Sequence, residues 1–160
     1  MTSAESPTGQ PAIFLRVSVP DQRLDLLADG TVVASYPIST SKYGLGTEPG
    51  SFRTPTGRFV IDEMIGGDAP PWAAFKSRQP TGEIATPGGE DDGILTRILW
   101  LAGLEPHNAN TRDRFIYIHG TNQESLIGTP ASHGCVRMRN ADVLDLFERV
   151  RPGTPVEIIA

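Results

Sequence analysis

Seventeen glycines and fourteen prolines in 160 residues constrain this chain more than any other feature. Both residue types weaken helix interiors, glycine through backbone entropy and proline through its missing N–H. A chain in which they make up about a fifth of the positions, against about 12% in average usage, folds as a turn-rich β protein sooner than as a helix bundle. Hydrophobic residues at 38% are enough for one core, and the length suits one compact domain. Fourteen basic against nineteen acidic residues, net charge −5, is the wrong sign for a nucleic-acid binder. No apolar run approaches the roughly 20 residues of a spanning helix. The single cysteine excludes an intramolecular disulfide and a multi-cysteine zinc site. The core alone must therefore hold the loops, which leaves the thiol to do chemistry.

Alternation places the strands. Ile13, Leu15, Val17 and Val19 share one face of AIFLRVSV at 12–19. RLDLL (23–27) and TVVASYPI (31–38) flank Ala28-Asp29-Gly30, whose Asp-Gly step favours a tight hairpin with positive φ. A turn-rich stretch, STSKYGLGTEPGSFRTPTG, then leads to a strand RFVID at 58–62. Between Gly66 and Gly93, ten of 28 residues are Gly or Pro. That density argues against any regular element and for a long Gly/Pro-rich binding loop or lid. ILTRILWL at 94–101 suits a strand or a short helix. RFIYIHG at 114–120 is a strand apolar on both faces, as in the middle of a sandwich. PVEII at 155–159 closes the set.

One good helix pattern stands at 141–150, with Asn140 as N-cap, Asp142 in the first turn, and Arg149 and Arg151 ahead of Pro152-Gly153. Val143, Leu146, Phe147 and Val150 make a single core-facing stripe. The expected fold is a mostly-β, sandwich-type domain of seven or so strands over 12–160, with one main C-terminal helix and a polar, disordered lead-in at 1–11.

Cys135 and three histidines are the candidates for chemistry. By itself a lone cysteine reads as a small buried hydrophobe, and a lone strand histidine as a satisfied structural residue. The neighbours of Cys135 argue otherwise. Gly134 lets backbone approach a ligand, and Ser132, His133 and Arg137 surround the sulfur with polar and cationic groups. Such surroundings lower a thiol pKa from about 8.5 towards ~3.5–7.5, and the thiolate is the nucleophile. His119, at the end of a strand and sixteen residues earlier, is the base such a nucleophile needs. No Asp or Glu stands out as the group that orients it, which points to a backbone carbonyl. His107 lies in a polar loop and reads as solvated. The spacing of His107, His119, His133 and Cys135 matches no compact zinc signature, so no metal and no cofactor is expected.

His119-Gly120-Thr121-Asn122 followed by Ser132-His133-Gly134-Cys135-Val136-Arg137-Met138 resembles the motif of the L,D-transpeptidase (YkuD-like) catalytic domain. STSKYG at 39–44 and Arg53-Thr54-Pro55-Thr56-Gly57 resemble that family's turn-rich stretch before a strand. The likeness runs from about Ile13 to Ile159. Arg137 stands where one branch of the family has Asn, so roles tied to that Asn are not carried over.

The resemblance implies a cysteine acyl-enzyme mechanism on peptidoglycan stem peptides or muropeptides. Cys135 would attack the carbonyl between the third residue's L-centre and the terminal D-Ala of a tetrapeptide. His119 would be the general acid/base, its ring held by the Gly120 carbonyl. Backbone N–H groups around His133, Gly134 and Cys135 would form the oxyanion hole, one donor being worth roughly 2.7–4 kcal/mol in other acyl-transfer enzymes. Arg137 would fix the loop or meet a substrate carboxylate, and Ser132 and His133 could instead shape the pocket. The thioester then goes to an amine, giving a transpeptidase, or to water, giving an L,D-carboxypeptidase of peptidoglycan recycling. A non-catalytic wall-binding domain and a structural protein with an inert thiol are the other classes. The first eleven residues carry no signal-peptide pattern. A complete chain would therefore be cytoplasmic, and one with its signal removed would belong to the periplasm or cell envelope.

Overall fold

The computed structural model describes residues 11–88 and 93–160. Strands β1 (Ile13–Ser18), β2 (Arg23–Ala28) and β3 (Thr31–Ser39) form an antiparallel meander. Asp29 and Gly30 make the expected tight turn between β2 and β3, with φ of 50° and 82°. β4 (Gly57–Ile65) follows, then the short hairpin β5 (Ala73–Lys76) and β6 (Gln79–Ile84). β7 (Ile94–Gly103), β8 (Tyr117–Gly120) and β9 (Val136–Met138) lead to helix α1 (Asn140–Arg149) and β10 (Pro155–Ile159). Hydrogen bonding runs β4-β10-β1-β2-β3-β9-β8-β7, and β7 also pairs with β4. Eight strands therefore close on themselves, which removes the exposed edges an open sheet would leave. The β5–β6 hairpin stands outside the ring, tied to the start of β7 through Ala74–Leu95 and Phe75–Ile94.

The ring encloses the main core, which includes Leu15, Val17, Leu24, Ile38, Phe59, Ile118 and Val136, all fully buried. Helix α1 adds Val143 and Leu146 to it, both 0% exposed. β7 and β8 are covered on their other side as well. Ile98, Trp100 and Tyr117 meet Ala73 and Phe75 of the hairpin in a second cluster. Burial on both faces is why these strands read as unbroken apolar runs. Among the described residues no helix is long and apolar enough to cross a membrane.

Several expectations need correction. The 66–93 stretch is not devoid of regular structure, because the edge of β7 gives the β5–β6 hairpin a partner. β6 is exposed throughout, so it has no apolar alternation to detect. Residues 89–92 of that stretch, and 1–10 of the lead-in, lie outside the described residues. ILTRILWL is a strand, extended to Gly103. The strand expected from Arg114 begins only at Tyr117, since Phe115 has φ of 57° and turns the chain. Asn140 is the first helical residue and Arg139 the N-cap, because the Asn140 side chain is committed elsewhere. Among the described residues, β5, β6 and β9 bring the strands to ten.

Candidate active site

Parallel pairing of β8 with β9 sets Ile118 beside Val136 and His119 beside Arg137. Alternate residues of a strand face opposite sides, so Ile118 and Val136 enter the main core while Tyr117, His119 and Arg137 face away from it. Cys135 stands one residue before β9 and packs against the second cluster, which contains Tyr117. Its Sγ lies 3.3 Å from the Tyr117 N–H, which donates to it, and 3.4 Å from the Phe115 carbonyl, to which the thiol donates. Cys135 and His119 are thereby brought to one face of one strand pair. The thiol is partly exposed and is not sealed among aliphatic groups.

His119 is 2% exposed, and its Nδ1 lies 2.6 Å from the Gly120 carbonyl. A carbonyl oxygen only accepts, so the neutral ring carries its proton on Nδ1 and its lone pair on Nε2. The peptide at Gly120 is itself held. A Cβ there would stand 2.4 Å from Asn140 Oδ1 and 2.8 Å from the Leu95 carbonyl. Asn140 Nδ2 donates to the Thr121 carbonyl at 2.8 Å and to Glu124 at 2.9 Å, and its Oδ1 accepts from Thr96 Oγ1 at 2.5 Å. These bonds are the commitment that takes Asn140 away from capping. Asn140 thus fastens the carbonyl of the next residue, Thr121, and packs against Gly120 itself.

The turn before Cys135 is braced from inside. Ser132 is 0% exposed; its hydroxyl donates to the Cys135 carbonyl at 2.6 Å and accepts the Gly134 N–H at 3.3 Å. Gly134 has φ of 120°, a left-handed value that L side chains resist, and a Cβ there would stand 3.3 Å from the Arg53 carbonyl. Arg137 is 0% exposed, a placement that suits holding the loop. His133 is exposed, with its ring centroid 5.9 Å from that of Tyr43 and 5.8 Å from that of Phe52. A cavity of about 250 Å³ opens here, lined by Phe52, Arg114, Phe115, Ile116 and His133 among others. His107 is apart from this group, with Nε2 2.9 Å from the Thr56 carbonyl. Among the described residues no three His, Cys, Asp or Glu side chains gather as metal ligands.

Two residues of the site were not singled out in sequence. Thr54 is 0% exposed; its hydroxyl donates to the Gly134 carbonyl and accepts from the Ser41 N–H, each at 3.0 Å. It ties both upstream turn-rich segments to the cysteine turn. Its signal was its place in the Arg53-Thr54-Pro55-Thr56-Gly57 stretch, with no role attached. Arg114 donates to the Arg53 carbonyl at 2.7 Å and the Gly46 carbonyl at 3.2 Å. Burial draws its pKa down, while Glu48 and the Cys135 thiolate push it back up. The same attraction favours the ionised sulfur. An arginine in the polar run NTRDRF carries no sequence signal for that role.

The family model of the L,D-transpeptidase (YkuD) catalytic domain matches residues 12–158. YkuD of Bacillus licheniformis, whose name places it among L,D-transpeptidases, is 33% identical over 144 residues, which are 90% of this chain and 64% of that protein. Among solved structures, an L,D-transpeptidase from Mycobacterium smegmatis superposes with a TM-score of 0.63 at 18% identity, covering 94% of this chain and 59% of the other. L,D-transpeptidase 3 from Mycobacterium tuberculosis, in complex with a faropenem-derived adduct, gives 0.61 at 16% identity, covering 94% and 61%. The chain thus spans less than two thirds of the length of these relatives, and the structural likeness at such identities is one of fold.

Proposed function

Because the chain belongs to the L,D-transpeptidase (YkuD) catalytic-domain family, we propose that it is a cysteine acyl-transfer enzyme acting on the stem tetrapeptides of peptidoglycan. The observation that carries this reading is the pairing of a partly exposed Cys135 with a His119 whose Nδ1 is occupied by the Gly120 carbonyl. That leaves Nε2 as the basic nitrogen on the sulfur's side of the sheet.

In the first half-reaction His119 Nε2 takes the Cys135 proton. The thiol then loses its hydrogen bond to the Phe115 carbonyl and keeps the one from the Tyr117 N–H, while Arg114 offsets the new negative charge. The thiolate adds to the carbonyl between the third residue and the terminal D-Ala. Backbone N–H groups of the His133-Gly134-Cys135 turn face the developing oxyanion; the Gly134 N–H must leave Ser132 Oγ to take part. Collapse breaks the C–N bond, and imidazolium returns its proton to the departing D-Ala nitrogen. A thioester remains on Cys135. In the second half-reaction an amine of another stem, or water, adds to the thioester as it passes a proton to His119, and the sulfur leaves as thiolate.

Incubation with a disaccharide-tetrapeptide, with and without an acceptor stem, tests this by mass spectrometry. A cross-linked dimer identifies amine transfer and a tripeptide identifies hydrolysis. Absence of both overturns the reading. A faropenem-derived mass adduct present in the wild type and missing in Cys135→Ala supports the thioester chemistry without requiring the natural stem.

A further inference from the structure

Two residues, Ser77 and Arg78, join β5 to β6 with φ of 49° and 65°. Such mirror-image turns ordinarily take Asn-Gly or Asp-Gly, because L side chains are strained in the left-handed region. An arginine at the second position costs stability that glycine would not, and hairpin closure alone gives no reason for it. The reason lies across the second cluster. The Arg78 guanidinium carbon is 4.7 Å from the Trp100 ring centroid and 5.2 Å from that of Phe115, and Nη1 donates to the Tyr117 hydroxyl at 3.1 Å. Phe115 and Tyr117 are the two residues whose backbone groups hold the Cys135 sulfur. A strained turn thus places a stacked, oriented cation beside the segment whose backbone holds the sulfur of Cys135.

The other arginines around it are committed. Arg112, which also stacks on Trp100, is ion-paired with Asp62 and Glu63. Arg97 and Arg114 donate to backbone carbonyls. Among the described residues no carboxylate forms an ion pair with Arg78. Of its five donors, Tyr117 engages one, and a planar fork remains to receive a carboxylate in two parallel hydrogen bonds. Arg78 also lines a cavity of about 520 Å³ walled by the hairpin and the 66–70 turn, with Phe75, Pro80 and Ile84 as apolar surface. Among the described residues, Asp68 and Glu83 are the other charged ones in that wall. A ligand carboxylate entering there has one cation to meet and two like charges to avoid, so its position is set.

We infer that Arg78 binds a free carboxylate of the stem peptide in the cavity walled by the hairpin, a step that rests on the stem-peptide reading above. Two carboxylates of a stem have this chemistry: that of the terminal D-residue and that on the side chain of a diamino-dicarboxylic third residue. Arginine, unlike lysine, stacks on Trp100 and Phe115 while keeping its fork open, so Arg78→Lys is a poor replacement.

The test measures steady-state turnover of the wild type, Arg78→Ala and Arg78→Lys on three tetrapeptides. One has all carboxylates free, one has the terminal carboxylate amidated, and one has the third-residue side-chain carboxylate amidated. In the wild type, amidation of the carboxylate held by Arg78 lowers kcat/KM by about 10- to 100-fold, mostly through KM, as loss of a charge-assisted bidentate contact does. Arg78→Ala shows the same loss on the free stem and no further loss on that amide; Arg78→Lys recovers only part. The amide that produces this pattern identifies which carboxylate is bound. Equal losses in Arg78→Ala on all three stems, with an active wild type, overturn the inference and leave Arg78 as a hairpin latch. A wild type inactive on every stem overturns the stem-peptide reading and this inference together. Wild-type selectivity between free and amidated stems is read without any variant, so a folding defect does not decide the outcome; no selectivity at all counts against the proposal.

Discussion

The floor of the site and its rim are built on opposite terms. The floor is β8, β9 and the start of α1, where His119, Gly120, Ser132, Arg137 and Asn140 are buried and the backbone is fixed by short hydrogen bonds. The rim is made of turns. Phe52, Phe115 and Arg78 all have left-handed φ, and Phe52 and Phe115 expose about half their surface. Reacting groups need fixed geometry, because a misplacement of about 1 Å can cost 10²-fold in rate. A rim that greets a bulky, flexible substrate needs accessible side chains, and the fold tolerates backbone strain to present them. The difference shows catalytic geometry and substrate contact drawing on separate parts of a small domain.

The comparison breaks most visibly at the sulfur. Cys135→Ala should lower turnover by at least about 10³-fold, while the melting temperature stays within a few degrees of the wild type, as scanning calorimetry would show. Unfolding of the variant would place Cys135 among the structural residues instead. Gly120→Ala strikes the floor. Its methyl group would collide with Asn140 and the Leu95 carbonyl, so denaturant unfolding should report a loss of about 1–3 kcal/mol together with reduced turnover. Unchanged stability would mean that the carbonyl holding His119 is not rigidly placed.

Phe52→Gly tests the rim. Removing a side chain from φ of 58° relieves strain, so unfolding free energy should change by less than about 1 kcal/mol while kcat/KM on stem peptides falls. A stability loss typical of core truncation, about 3 kcal/mol or more, would make the ring structural and dissolve the contrast. The smallest effect is expected at Asp142, behind the floor. Burial, ahead of its neighbours Asp145 and Glu124, raises its pKa, with Arg139 opposing. Folding therefore favours the protonated acid; that contribution is full below the unfolded-state value and is lost as pH rises through the raised one. Asp142→Asn should melt slightly higher than the wild type at neutral pH, and the gap should close in acid. A gap that widens in acid would reverse the sign.

Much of this molecule can be read in its residues. Period-two alternation marks β1, β2 and β10, the Asp29-Gly30 turn forms where its chemistry demands, and Val143 and Leu146 enter the core as their spacing requires. The cysteine, its glycine and the upstream histidine stand out by their neighbours and their spacing. All of these are local signals, set by the period of a strand or helix or by the φ a residue tolerates.

What only the tertiary structure decides is non-local. β5 and β9 exist because an edge of β7 and a gap between β3 and β8 await a partner. Asn140 serves the Thr121 carbonyl instead of its own helix, and Arg78 crosses from a hairpin tip to Trp100 and Tyr117. Thr54 meets the cysteine turn at Gly134 across 80 residues, and Arg114 meets the Arg53 carbonyl across 61. Such contacts depend on closure of the sheet, and no spacing along the chain encodes which distant backbone group a buried polar side chain will find.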